Sequence, residues 1–424
     1  MLKTLPDTPE RAWQELSLQL ALAAPLMATK GWADPEVGRI YSRARELCQQ
    51  VGETPQLFPA LWGQWGFYFI GGELLTAREL GEQLLNISQS VQDPALLVEG
   101  HHALWPALFF LGEFALTRAH LEQGTALYDS QQHGSRAFFY GGHDPGVCCQ
   151  DFWALTLYSL GYPDQALKKV DEALTLAQEL SHPLSLAVAL YYAARLHQTR
   201  RERQEAQARA ETLITLSREQ GFALALAWGI IYRGWALAEQ GQVEEGIAQI
   251  RQGLTAFRAT GAGVGRPHFL ALLAEACGKA GQTEEGLNAL TEALGIVHKN
   301  AEREYEAELY RLKGELLLAQ ESKSQKSKGK SQKSENPNPK SQRPAPHSEA
   351  EACFLKAIEV ARKQQAKSLE LRATTSFARL WQQQGKQKEA HEMLAAVYNW
   401  FTEGFDTKDL QEAKALLTEL ETQV

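Results

Sequence analysis

The sequence predicts an all-α fold: a right-handed α-α superhelix of stacked helical hairpins, each about 40 residues long. Three observations carry that expectation. The hexapeptides "GQVEEG" (Gly241–Gly246) and "GQTEEG" (Gly281–Gly286) differ at one position, and the step from Gly241 to Gly281 sets the period. Small residues recur at fixed offsets from such turn marks along the chain. Strand signals are nearly absent, with no alternating β-branched runs and no Asn-Gly hairpin turns.

The offsets define the repeat. Around Gly241 the small residues are Gly234, Gly246 and Gly253; around Gly281 they are Ala274, Gly286 and Ala293. Gly161, in "LGYPDQALKKVDEAL", has Ala154, Ala166 and Ala173, and Arg201 has Ala194 and Ala206. Weaker copies flank these four, at Gly31, Gly72, Gly112 and Gly385. The mark is where the first helix of a hairpin ends, because glycine enters the left-handed conformation cheaply. Small residues on either side let two antiparallel helices approach closely. Apolar residues recur at three- and four-residue spacing, as in Leu224, Trp228, Ile231 and Trp235. One hairpin cannot bury such a stripe alone, so neighbouring hairpins stack.

Small residue, turn glycine and small residue at these offsets resemble the tetratricopeptide repeat, in a form of about 40 residues rather than about 34. The resemblance covers about residues 10–400. "LPDTPERAWQELSLQLALA", "LAWGIIYRGWALAEQGQVEEGIAQI" and "WFTEGFDTKDLQEAKALL" are similar to the C-terminal repeat region of large bacterial signalling ATPases. In that family a cyclase, kinase-like or DNA-binding domain and an AAA-type NTPase precede the repeats. This sequence starts where the repeats start, so the resemblance does not carry the ATPase or cyclase activity over.

One segment breaks the period. The mark after Gly281 is due at 321, and its preceding small residue, Gly314, is present. "ESKSQKSKGKSQKSENPNPKSQRPAPHS" follows, before "EAEACFLKAIEVARKQQA" resumes as a second helix. The tract is rich in lysine, serine, glutamine and proline and cannot bury apolar surface. The expected organisation is a repeat array over 1–320, a disordered insertion over 321–348 in the turn of one hairpin, and further repeats with a capping helix over 349–424.

Bulk properties narrow the function. A net charge of −8 and a pI near 5.8 argue against general nucleic-acid binding. Five scattered cysteines form no disulfide framework and no CxxC pair, which points to a reducing, cytoplasmic compartment. The N-terminus lacks the apolar run of a signal peptide, and no stretch is long and apolar enough to span a membrane.

No catalytic constellation is visible. "GKS" at Gly329–Ser331 ends like a phosphate-binding loop but lacks the upstream glycine and the strand. "YGGHDPGVCCQDFW" gathers His143, Asp144, Cys148 and Cys149, residue types that bind zinc. Vicinal cysteines do not readily share one ion and a fourth ligand is missing, so no metal and no cofactor are expected. "HHALW" (His101–Trp105) and His197 fall in helices and read as structural.

What remains is the inner face of the superhelix. In tetratricopeptide arrays the first helix of each hairpin lines the groove, at positions 13, 10, 6 and 3 before the mark. The resemblance transfers those positions to Trp62, His102, Asp151, Tyr191, Arg195, Trp228, Trp235, His268, Glu275, Glu308 and Arg311. Aromatic, cationic and anionic groups on one channel suit a peptide or small ligand. The expected function is non-enzymatic: a protein-interaction scaffold or regulatory module of a bacterial signalling system. Its partner would be a protein or peptide, a separately encoded NTPase or cyclase being one candidate, with no specific nucleic acid and no membrane. The alternatives are a small-ligand sensor and the detached repeat part of an ATPase or adenylate cyclase.

Overall fold

A computed structural model describes residues 8–52, 54–129, 140, 142–329 and 346–422. Among these residues every regular element is a helix, and the helices pair in chain order. α1 (Pro9–Lys30) pairs with α2 (Pro35–Val51), α3 (Leu57–Gly71) with α4 (Leu74–Val91), and α5 (Pro94–Phe110) with α6 (Phe114–Leu127). α7 (Pro145–Leu160) pairs with α8 (Pro163–Glu179), α9 (Pro183–Thr199) with α10 (Arg203–Gln220), and α11 (Ala223–Glu239) with α12 (Val243–Ala259). α13 (Arg266–Lys279) pairs with α14 (Thr283–Asn300), α15 (Glu306–Gly329) with α16 (Pro346–Lys363), and α17 (Lys367–Gln383) with α18 (Gln387–Tyr398). A last helix, α19 (Lys408–Thr422), packs on α17 and α18.

The expected turn marks are the hairpin turns. Gly31, Gly72, Gly112, Gly161, Arg201, Gly241, Gly281 and Gly385 each separate two paired helices, and each has a positive φ. The stop signal is a double backbone bond. At Gly161, its N–H donates to Tyr158 O and the next N–H, of Tyr162, donates to Leu157 O (3.0 and 2.8 Å). Arg201 and Gly281 repeat the pattern, so the last carbonyls of the first helix are satisfied by the turn itself. The connections between hairpins also turn through positive φ, at Ser181, Gly221, Gly261 and Ala301, each one repeat after the last. Ser181 and Ala301 carry no glycine signal, so the sequence does not announce this second register.

Close approach follows from the small residues. A Cβ placed on Gly234 would lie 2.8 Å from Gly246 O, and one on Gly246 would lie 2.5 Å from Gly234 O. Ala154, Ala194 and Ala274, at the matching offset, are fully buried. One continuous apolar core runs through the array from Phe58 to Leu369, with smaller clusters at both ends.

The superhelix is wound tightly enough for successive turns to touch. Gly263 N–H donates to Ile70 O, and Arg303 N–H donates to Phe110 O, both at 2.8 Å. These two bonds are themselves one repeat apart. Farther on, Ser368 Oγ donates to Tyr158 O (2.5 Å) and the Asp164 N–H donates to Glu403 Oε1 (3.0 Å). The inner face is therefore enclosed by the chain's own next turn.

α15 and α16 form the hairpin that carries the inserted tract. Residues 321–329 continue α15 and 346–348 begin α16, while 330–345 lie outside the described residues. No described helix is long and apolar enough to cross a membrane.

Candidate binding site

The enclosed inner face is filled over most of its length. Trp62, His102, Asp151, Tyr191, Arg195, Trp235 and His268 are each at most 3% exposed. Their neighbours explain the burial. Trp62 on α3 packs against Trp65 and His102. Tyr191 on α9 stacks on the half-buried Trp228 of α11, with centroids 4.1 Å apart. Arg195 Nη2 donates to Glu304 Oε1 at 2.6 Å, and its guanidinium lies over Phe110 at 5.3 Å. His268 bonds Gln198 Oε1 at 3.0 Å through Nε2.

Toward the C-terminal half the inner face opens into a cavity. This cavity, of about 430 Å³, lies between the C-terminal half of α13, the inner faces of α15 and α17, and α19, with Gln198 and Arg201 of the α9–α10 turn on the far side. Four of the expected residues line it: Trp235, Glu275, Glu308 and Arg311. Trp235 is buried but turns its indole edge to the cavity wall, where Nε1 donates to Glu275 Oε2 at 2.9 Å. Tyr191, Arg195, Trp228 and His268 stand outside the lining, and Trp62, His102 and Asp151 belong to the N-terminal half.

The wall is a chain of alternating charges. Arg311 holds Glu308 through two bonds (2.6 and 2.8 Å) and Glu315 through a third (2.5 Å). Arg372 on α17 donates to Asp409 Oδ2 at 2.5 Å, to Thr199 O at 2.7 Å and to Tyr158 OH at 3.0 Å, and reaches Glu308 at 3.4 Å. Arg201 bridges Asp409 and Glu412 of α19 (3.3 and 3.1 Å), and Arg379 meets Glu412 from the rim. Burial raises the Asp409 pKa, but Arg372 and Arg201 more than reverse it and hold the carboxyl below its ordinary value. Glu308 is likewise held low against burial, by Arg311 and Arg372. Glu275 has no such cation in contact; burial and the nearby Glu239 push it up. The cavity thus presents anchored ions of both signs.

Arg201, Arg372, Asp409 and Glu412 were not singled out from the sequence as site residues. Three of them lie in the last two hairpin segments, and only the winding of the superhelix brings them to the α9–α10 turn. Arg201 did carry a signal. It stands at a mark that is glycine in the copies at 161, 241 and 281, and it adopts φ 63°. The left-handed region costs a non-glycine residue about 1–2 kcal/mol, and here the side chain bridges to α19.

The zinc-type cluster is partly assembled as well. His102, on α5, lies beside His143 and Cys148, with ligand atoms within 4.8 Å of one another. Cys149 points elsewhere, toward Thr125 Oγ1 and Leu121 O. The sequence could not place His102 there, because it belongs to the preceding hairpin.

No family model matches the chain. A curated protein of Rhizobium meliloti (strain 1021), itself uncharacterized, is 25% identical over 172 residues. That stretch is 40% of this chain, and the chain spans only 16% of that protein's length. Among solved structures, a Rap protein complexed with Competence and Sporulation Factor is similar with a TM-score of 0.55 and 12% identity, over 84% of this chain and 99% of that one. The Cut9–Hcn1 hetero-tetramer of the APC/C gives a TM-score of 0.50 at 11% identity, over 97% of this chain and 67% of that one. With the paired helices, the regular turn register and these likenesses, the fold is identified: an all-α solenoid of tetratricopeptide-like helical hairpins.

Proposed function

We propose that the protein is a binding scaffold that takes a short charged segment of a partner polypeptide into the cavity between α13, α15, α17 and α19. One observation carries this reading. It is a recess of about 430 Å³ on the inner face, walled by Arg201, Arg311 and Arg372 facing Glu275, Glu308 and Asp409. Fixed ions of both signs in a low-dielectric recess select an extended peptide by its charges and its backbone polar groups. The likeness to a Rap protein complexed with a factor supports a ligand-binding role for such a solenoid. The signalling setting, with a separately encoded NTPase or cyclase as one partner, rests on the sequence resemblance.

A second reading has one observation of its own. About 430 Å³ is within the usual range of small-molecule pockets, so a charged metabolite fits the same recess. Two parallel screens of the full chain separate the readings: selection from a displayed library of short peptides, and thermal shift against a metabolite library. Peptide binders with a charge pattern, displaced by no metabolite, support the scaffold. A metabolite that stabilises the chain and yields no peptide binder points to a sensor instead. Lys279, Glu315 and Arg379, exposed or half-exposed on the rim, are the positions at which bound ligand should be felt without unfolding the array.

A further inference from the structure

We infer that His102, His143 and Cys148 form a binding site for a zinc-type divalent transition metal, with the fourth coordination position left to water. The three residues come from α5, from the end of the α6–α7 connection and from α7 itself. His102 is in the middle of α5, His143 ends the connection into α7, and Cys148 is in the first turns of α7. Their donor atoms all lie within 4.8 Å of one another. Donors on one tetrahedral Zn²⁺ at about 2.0–2.3 Å stand roughly 3.3–3.8 Å apart. Ligation therefore asks for side-chain shifts of about one ångström. Two imidazoles and one thiolate are a borderline-soft set, which favours Zn²⁺ over the oxygen-seeking Mg²⁺ and Ca²⁺.

The surroundings are those of a metal site rather than of three residues that happen to meet. His102 Nδ1 is bound to Glu99 Oε2 at 3.0 Å, both side chains being almost fully buried. A carboxylate behind one ring nitrogen fixes the ring and leaves Nε2 as the donor, as it does for metal-bound histidines generally. Asp144 caps α7 with Oδ1, which accepts from Gly146 N–H and Val147 N–H at 2.8 and 3.0 Å. Its other oxygen, Oδ2, is buried and accepts no hydrogen bond among the described residues. Asp151, one turn beyond Cys148, is fully buried with both carboxylate oxygens in the same condition. A buried carboxyl without donors stays ionised only where a positive charge stands near, and is otherwise neutral. A divalent ion between His102 and Cys148 supplies that charge to Asp144 and Asp151 together. The two residues flank Cys148 in sequence, and their charges act on His102 and Cys148 respectively. His143 is half-buried and gives the ion a way in.

The site stands apart from the cavity and is tested without any partner. The full chain, purified with a chelator and dialysed free of it, is titrated with Zn²⁺ against a chromophoric competitor. One equivalent should bind tightly. Glu99→Gln should weaken it by about 10–100-fold, the usual effect of losing an outer-shell partner. His143→Ala, at a half-buried position, should weaken it more, by ~100-fold or beyond. Co²⁺ in place of Zn²⁺ should show a thiolate charge-transfer band that Cys148→Ser removes and Cys149→Ser keeps. Failure to bind one equivalent overturns the inference. So does an affinity unchanged by His143→Ala, or a band that survives Cys148→Ser.

Discussion

Adding one methyl group at Gly234 is a sharp probe of the hairpin register. In a helix interior, alanine is favoured over glycine by about 1 kcal/mol, so Gly→Ala stabilises wherever there is room. At Gly234 there is none. The new Cβ would lie 2.8 Å from Gly246 O, 2.9 Å from Ile250 N and 2.9 Å from Ile250 Cγ1. Two of these three atoms are backbone and cannot rotate away, so α11 and α12 must separate. Overpacking of this kind costs about 1–3 kcal/mol. With neighbours that cannot yield, the upper half of that range applies, and the net loss is about 1–2 kcal/mol after the helix-propensity gain. Gly295 in α14 is the matched control: it is exposed and a Cβ there meets nothing within 4 Å. Gly295→Ala should therefore gain about 0.5–1 kcal/mol. Urea denaturation followed by circular dichroism reads both changes as midpoint shifts of opposite sign. A Gly234→Ala midpoint raised as far as that of Gly295→Ala would refute the close contact at this offset, and with it the register.

Three further outcomes are expected. Arg195→Ala should unfold the array more readily, by about 3–5 kcal/mol, since it strands the buried Glu304 carboxylate; a midpoint unchanged in urea would contradict the pairing. Stability should fall as pH drops below about 6.5, because burial, with Arg195 and Arg372 nearby, holds the folded His268 pKa well below its ordinary value. The unfolded chain then takes up the proton first, at up to about 1.4 kcal/mol per pH unit, and His268→Gln should flatten that slope; a slope identical in the variant would exclude His268 as its source. Deleting residues 330–345 and rejoining the ends with a short flexible linker should leave the helical circular-dichroism signal and the melting midpoint intact, whereas a cooperative loss of folding would make the tract structural.

The repeat was legible because its signals are local. A left-handed turn, a small residue seven positions before it and another five positions after it are each set by the contact of two adjacent helices, and all recur with the same period. The turns between hairpins were less legible because Ser181 and Ala301 take positive φ without a glycine to announce it. The site was legible only in part, for a physical reason. Transferred groove positions assume an open inner face, and Trp235, Glu275, Glu308 and Arg311 do border the cavity. Tyr191, Arg195 and His268 instead lie buried where the chain's own next turn closes over them: Arg195 meets Glu304, far along the chain. That closure depends on the small rotation between successive hairpins, summed over several of them, and no residue pattern in one repeat encodes the sum. Asp409 was invisible for the same cause. It meets Arg201 of the α9–α10 turn and Arg372 of α17. His102 beside His143 and Cys148 depends on how α5 packs against α7, a contact between neighbouring hairpins rather than within one.

Whether ligand enters the cavity between α13, α15, α17 and α19 is decided by one comparison of dissociation constants. The probe is the tightest peptide selected from a displayed library against the full chain, measured by isothermal titration. Arg379→Glu reverses a charge on the cavity rim, where the side chain is 45% exposed and meets Glu412. Arg118→Glu makes the same reversal on α6, away from the cavity, at a side chain 47% exposed that meets Glu122. With ligand in the cavity, Arg379→Glu should weaken the peptide at least ~10-fold, the order of ~1.4 kcal/mol, and Arg118→Glu should leave it unchanged. Equal affinity for the wild type and Arg379→Glu, or selection that yields no binder at all, would contradict that placement.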